Sequence, residues 1–286
     1  MEAGANSGER MFDALLKTVG GIVVAVTIVA GAPTVAAADV AALIDQAMNG
    51  SHRSDANKAR NQYRHPGETL LFFGLKPDMT VVEITPGGGW YSEILAPVLR
   101  DEGMFYAASY RITSNSPGFF KRMDTRYRAK LEASPDNFGK VKVVYFDRAS
   151  PEFAPEGSAD MVLTFRNVHN WAKAGTAESM FRGFYAALKP GGVLGVIDHR
   201  AKPGTSFERQ IQSGYMSEDY VIKLATKAGF RLDARSEINA NPKDSADHPY
   251  GVWNLMPSLR NVSEQDMQKI RAIGESDRMT LRFVKQ

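Results

Sequence analysis

A β-branched run, Thr80-Val81-Val82-Glu83-Ile84, is followed by Thr85-Pro86-Gly87-Gly88-Gly89 and then by Trp90-Tyr91. The run reads as a strand and the residues after the glycines as the start of a helix. Glycines at such a turn let the backbone approach a ligand at the helix N-terminus, on the carboxyl edge where open α/β sheets bind. A dinucleotide fingerprint requires G-x-G-x-x-G, and Ser92 stands where its last glycine belongs. Glu83 sharpens the choice. An acid two positions before the turn can hold backbone amides or a cationic ligand, and it would repel a pyrophosphate. A nicotinamide-dependent reductase selecting a phosphate through Arg111 is disfavoured on both grounds.

Such a turn needs a sheet to present it. Strands are expected at Thr80–Ile84, Gly103–Ala108, Val141–Phe146, Met161–Thr164, Val193–Ile197, Arg231–Glu237 and Met279–Val284. Helices are expected at Tyr91–Leu99, Gly118–Leu131, Thr176–Leu188 and Ser217–Ala228. Strands alternating with helical patterns imply parallel pairing through right-handed crossovers, hence an α/β, doubly wound, Rossmann-like sheet. Ahead of it, residues 39–67 carry an apolar pattern at Val40, Ala41, Leu43, Ile44 and Ala47 that predicts two short helices outside the sheet.

Glu83-x-Thr85-x-Gly87-x-Gly89 resembles the acid-x-Gly-x-Gly-x-Gly turn of the class I S-adenosylmethionine-dependent methyltransferases, with Thr85 replacing the first glycine. Later motifs agree in order: Phe146-Asp147 after the third strand, Asp160-Met161-Val162-Leu163-Thr164 as the fourth, and Leu188-Lys189-Pro190-Gly191-Gly192 before the fifth. More narrowly, Pro86-Gly87-Gly88-Gly89-Trp90-Tyr91 and Phe165-Arg166-Asn167-Val168-His169-Asn170-Trp171 resemble a branch of exported predicted methyltransferases. The resemblance implies a seven-stranded sheet over residues 68–286, with the last strand inserted antiparallel beside the sixth. It implies S-adenosylmethionine as cofactor, held by Glu83, Thr85, Pro86, Gly87, Gly88, Gly89 and Tyr91. Asp147 is implied near the adenine amine and Asn167 among the cofactor contacts. One departure stands out. Where the family grips both ribose hydroxyls with an acid, this chain has Ala108-Ser109-Tyr110, and Ser109 offers one hydrogen bond in place of two charge-assisted ones.

Methyl transfer from a sulfonium is an in-line displacement, so positioning and water exclusion dominate. A hydroxyl or amine acceptor gains from a base, and a histidine near the carboxyl ends of strands four or five suits that role. His169, in the loop after strand four, and His199, in Ile197-Asp198-His199-Arg200, are the candidates; each could equally anchor its loop. Packing is the default reading of Trp90, Tyr91 and Trp171, with cation–π contact to a sulfonium as the functional one. Tyr63-Arg64-His65 reads as a solvated helix end, or as a segment closing over the cofactor. The stretch 239–277 holds Asp244, Asp247, His248, Tyr250 and Trp253, and reads either as a substrate-side lid or as a plain loop. Its turn-borne carboxylates and single histidine make a poor metal site, and none is expected.

The opening segment stands apart. No charge falls between Lys17 and Asp39, apolar residues run from Val19 to Ala32, and Ala36-Ala37-Ala38 offers an A-x-A cleavage site. This is a secretory signal over residues 1–38, and initiation at Met11 would make it compact. Pro33 and the small-residue site argue against an uncleaved membrane anchor. The 286-residue chain has no cysteine, which fits an oxidising compartment such as the periplasm. Its formal charge of +3 and scattered Lys and Arg exclude nucleic acid as an expected partner. The expected activity is methyl transfer to a small molecule. A non-catalytic binding protein with a repurposed pocket is the other reading, favoured by Ser109 and by the export signal.

Overall fold

The structure, a computed structural model, describes residues 37–286. The apolar run Val19–Ala32, expected to belong to a secretory signal, and the Met11 start lie outside the described residues, of which no helix is long and apolar enough to cross a membrane.

Seven strands form one sheet: β1 Thr80–Ile84, β2 Met104–Tyr110, β3 Lys142–Phe146, β4 Ala159–Phe165, β5 Leu188–His199, β6 Phe230–Ser236 and β7 Arg278–Lys285. Their order is β3-β2-β1-β4-β5-β7-β6. β1 to β5 run parallel, while β7 pairs antiparallel with both β5 and β6. The expected antiparallel insertion of the last strand is thus observed. β5 is longer than its β-branched stretch because Lys189-Pro190-Gly191-Gly192 joins the strand through a register shift against β4.

Side-chain alternation along the strands gives the sheet two apolar faces. Val81, Met161, Leu163, Val193 and Ile197 face one core, and Val82, Ile84, Val162, Leu194 and Val196 face the other. The first face is covered from the N-terminal side of the chain. There α1 Ala37–Asn49 is followed by α2 Asp55–Lys58, α3 Asn61–Arg64 and α4 Pro66–Phe73, then by α5 Ser92–Leu99 between β1 and β2. Val40, Ile44 and Ala47 make one buried stripe of α1 at helical spacing. Three helical segments, α1 to α3, therefore stand in the stretch where two were expected, and α4 begins at its end. α6 Gly118–Ala133 and α7 Pro135–Phe138 connect β2 to β3 and add Tyr127 and Phe138 to the same core.

The opposite face is covered by α8 Val168–Lys173, α9 Ala177–Ala187 and α11 Glu218–Lys227, which contribute Trp171, Phe181, Phe184 and Leu224. α10 Phe207–Ser213 precedes α11, and the stretch 239–277 contains a 3₁₀ turn, Gly251–Asn254, and α12 Glu264–Ile273. The parallel strands bring Thr85, Tyr110, Arg166 and His199 to one edge, and reversed β7 starts there at Arg278.

Candidate functional site

At the end of β1 the chain turns through three left-handed residues, Thr85 at φ 54°, Gly87 at 61° and Gly89 at 76°. The glycines have different duties. A Cβ on Gly89 would lie 2.8 Å from the Tyr127 ring, so this glycine admits α6; around Gly88 nothing lies within 4 Å. Thr85 is a β-branched residue in a region that disfavours it, and its buried Oγ1 has no partner among the described residues. Its N–H bonds Ala108 O at 2.7 Å, which fixes the turn to β2. Beside it lies a narrow, solvent-open hollow lined by Thr85, Gly87, Ser109, Met123 and Asp124. A second hollow, lined by Arg111, Asp147 and Arg148, shares Tyr110, Ile112 and Phe120 with it.

Glu83 supports the turn from behind. Its carboxylate is enclosed and accepts the Ser92 hydroxyl at 2.6 Å, and Ser92 in turn meets the Tyr127 hydroxyl at 3.0 Å. Burial raises its pKa from 4.5 to about 7, against the Ser92 hydrogen bond and Lys130. Asp147 sits exposed and pairs with Arg111 at 3.1 Å. Asn167 donates to Ile84 O at 3.0 Å and to Thr164 Oγ1 at 3.2 Å, tying the ends of β1 and β4 together. Pro86 is half-buried in the turn, and Tyr91 stacks on Phe165 with ring centroids 3.5 Å apart.

Trp90 packs between the guanidinium groups of Arg53 and Arg64, at 4.9 and 4.6 Å, and its Nε1 donates to Asn57 O. It anchors the N-terminal segments. Trp171 is buried in the core, and its Nε1 donates to the Tyr110 hydroxyl at 2.7 Å. The expectation of a solvated end at Tyr63-Arg64-His65 is corrected: Arg64 is buried, because its guanidinium pairs with Glu275 at 3.0 Å.

His169 and His199 come together at the ends of β4 and β5, with ring centroids 5.4 Å apart. His169 was expected in a loop but belongs to the first turn of α8. Its Nδ1 lies 3.0 Å from Asp198 Oδ1. Asp198 also accepts the backbone N–H groups of His169 and His199, so the carboxylate is held in place and orients the ring. His199 Nδ1 meets Ser276 Oγ at 2.5 Å. Burial, then His169, Arg166 and Arg278, push the His199 pKa well below its usual value, and the ring is neutral at pH 7. Ligand atoms of His169, Asp198 and His199 lie within 4.8 Å of one another and could meet a metal ion, but these arginines oppose a second positive charge there.

The stretch 239–277 reaches this place directly. Asp244 clamps it by accepting the Tyr215 hydroxyl at 2.8 Å, the Asp277 N–H at 2.8 Å and a His248 Nε2 contact at 2.9 Å. It thereby delivers Ser276 to His199, Trp253 to 6.1 Å from His169, and Glu275 to Arg64. Sequence reading passed over Asp198, Ser276 and Asp124. Asp198 was visible as the acid beside a candidate histidine, whereas Ser276 and Asp124 carry no local signal. Asp124 reaches the hollow beside Ser109 because α6 crosses it, and Oδ1 accepts the Tyr145 hydroxyl at 2.8 Å.

No protein-family model matches the sequence, and no curated protein sequence matches it. Solved structures do. A SAM-dependent methyltransferase from Aquifex aeolicus aligns at 16% identity over 86% of this chain and 98% of its own, with a TM-score of 0.54. The chain has the methyltransferase fold. A SAM-dependent methyltransferase from Methanosarcina mazei aligns at 12% identity, over 76% of this chain and 96% of its own, with a TM-score of 0.50. The [4+2]-cyclase SpnF aligns as well, at 15% identity over 83% and 84% of the two chains, with a TM-score of 0.52.

The residues present fit S-adenosylmethionine at the turn. Gly88 leaves the backbone open where a ligand meets the helix start, and Thr85 beside it holds a buried hydroxyl with no partner among the described residues. Ser109 and Asp124 line the adjoining hollow and could share the ribose hydroxyls. Glu83 fits differently, since its carboxylate is committed to Ser92 and acts through the turn.

Proposed function

We propose that the protein is an S-adenosylmethionine-dependent methyltransferase acting on a small-molecule acceptor. The observation that carries this reading is the Asp198-oriented His169 on the same sheet edge as the open glycine turn. The turn, with Thr85, Gly87, Gly88, Ser109 and Asp124, would hold the cofactor. When bound, the cofactor supplies a methyl group on a sulfonium, ready for in-line displacement. His169 keeps its Nδ1–H on Asp198 and takes the acceptor proton at Nε2, which has no partner among the described residues. Asp198 stabilises the imidazolium until the proton passes to water. Tyr91, next to the turn, and Phe165, at the end of β4, stack on each other and would limit water there.

The test is calorimetric titration with S-adenosylmethionine and S-adenosylhomocysteine, with Gly87→Val as the blocked control, followed by transfer of labelled methyl to periplasmic extract. Saturable binding lost in the control supports the cofactor. No binding at millimolar ligand refutes it, and favours a non-catalytic pocket. That second reading draws on Ser109 in the acid's place and on the wall that Tyr110 and Phe120 make between the hollows. The signal segment adds export to the proposal. A periplasmic product beginning at Asp39 is expected on fractionation and N-terminal sequencing.

A further inference from the structure

Four arginines meet at the carboxyl edge beside the histidines. Arg60 and Arg64 pair with Glu275 at 2.6 and 3.0 Å, and Arg278 pairs with the same carboxylate. Arg166 is the fourth; its backbone N–H donates to Ile197 O at 2.7 Å, but its guanidinium makes no hydrogen bond or ion pair among the described residues. The other carboxylate nearby, Asp198, is committed to His169 and to two backbone N–H groups. Four guanidinium groups thus face two carboxylates, and His199 adds no negative charge.

The excess is not dispersed into water. Arg64 and Arg278 are almost wholly buried. Three donor atoms, Arg60 Nη2, Arg64 Nη2 and Arg278 Nε, are buried without partners. Unpaired buried donors and uncompensated buried charge each carry a penalty of several kcal/mol. The penalty registers on Arg166, whose pKa falls to about 10 through burial and then through Arg278, and on Arg64, held well below its usual value by burial and Arg166. Arg166, at about 10, stays charged at neutral pH. Arg166 is also held at φ 62°, a left-handed conformation uncommon for a residue with a side chain. It retains some accessible surface just past the end of β4, three residues before His169, and its charge acts on His199 and Asp198.

We propose that Arg166, backed by Arg64 and Arg278, binds an oxyanion, a carboxylate or phosphate group carried by the acceptor. The planar guanidinium fork matches such groups, and an anion there removes the charge excess that the chain leaves uncompensated. The substrate class is therefore an anionic small molecule, anchored at the β4 end so that its nucleophile lies against His169. This rests on the methyltransferase reading. The carboxylate of the cofactor's methionine tail has the same chemistry, and the experiment separates the two sources.

Thermal unfolding and calorimetry of the whole protein, wild type and Arg166→Met, use inorganic phosphate and benzoate as probes, with S-adenosylhomocysteine and methylthioadenosine as nucleoside ligands. In the wild type, millimolar phosphate or benzoate should raise Tm by roughly 2–4 °C above a matched chloride control. Arg166→Met should abolish that rise while keeping or raising the Tm without added anion. A lower basal Tm with no anion effect in the wild type would make Arg166 a structural ion and overturn the proposal. Arg166→Lys serves if the Met variant folds poorly, since loss of the fork should weaken the probe several-fold. Homocysteine-ligand affinity within about threefold of wild type in Arg166→Met, and unaffected by phosphate, assigns the anion to the acceptor. Competition between phosphate and S-adenosylhomocysteine but not methylthioadenosine overturns that assignment. Anion binding without any nucleoside binding would leave the oxyanion site standing and remove the methyltransferase reading.

Discussion

Glu83→Gln keeps the shape of the buried side chain and an oxygen to accept the Ser92 hydroxyl, while removing the charge. The Glu83 pKa rises from 4.5 to about 7 on folding, mainly because burial opposes ionisation. At 1.36 kcal/mol per unit this corresponds to ~3 kcal/mol against the ionised form. A raised carboxyl pKa means the folded protein keeps a proton that the unfolded chain releases. Its stabilising contribution is fully present below about pH 4.5, is lost as the pH climbs through about 7, and is gone above. The variant lacks this loss. Urea unfolding of both proteins at pH 5 and pH 8 isolates the group, because the other titrations cancel in the difference. The variant should gain roughly 2–3 kcal/mol relative to wild type between the two pH values. An unchanged difference, or a variant that falls further behind at pH 8, would show that water or a cation reaches the carboxylate and that Glu83 does not sit closed behind the turn.

Gly88 and Gly89 should separate on substitution. Gly89→Ala places a Cβ 2.8 Å from the Tyr127 ring at φ 76° and should cost about 1–3 kcal/mol in denaturant unfolding. Gly88→Ala meets no atom within 4 Å and should leave stability unchanged but weaken S-adenosylhomocysteine; unchanged affinity would remove Gly88 from the ligand site. Asp198→Asn leaves His169 without the acceptor that sets its tautomer, so kcat should fall by roughly 10²–10⁴ with S-adenosylhomocysteine affinity retained. Equal loss of both would make the pair structural. For Glu275, burial alone would raise the carboxyl pKa, but Arg278, Arg64 and Arg60 outweigh it and hold it well below the usual range. Its contribution is therefore present above the unfolded pKa and lost on acidification. Glu275→Gln should cost about 3–5 kcal/mol at pH 7, with the gap from wild type narrowing below about pH 4.

Local pattern determined much of this protein. β-branched and apolar runs located every strand, since parallel strands covered on both faces are apolar almost throughout, and β1 was read to the residue at Thr80–Ile84. The glycine turn was legible because two of its three left-handed residues, Gly87 and Gly89, are glycines, whereas Thr85 carries no such mark. Short helices escaped: α8 and α12 are polar or few in turns, and packing against neighbours forms them more than their own propensity does. Tertiary structure alone decided the site's partnerships. It turned Glu83 inward to Ser92, brought Asp124 from α6 to the side of Ser109, and folded the stretch 239–277 so that Glu275 and Ser276 meet Arg64 and His199. Those contacts join residues up to 211 positions apart. Their energy comes from burial and charge in three dimensions, which no local spacing records.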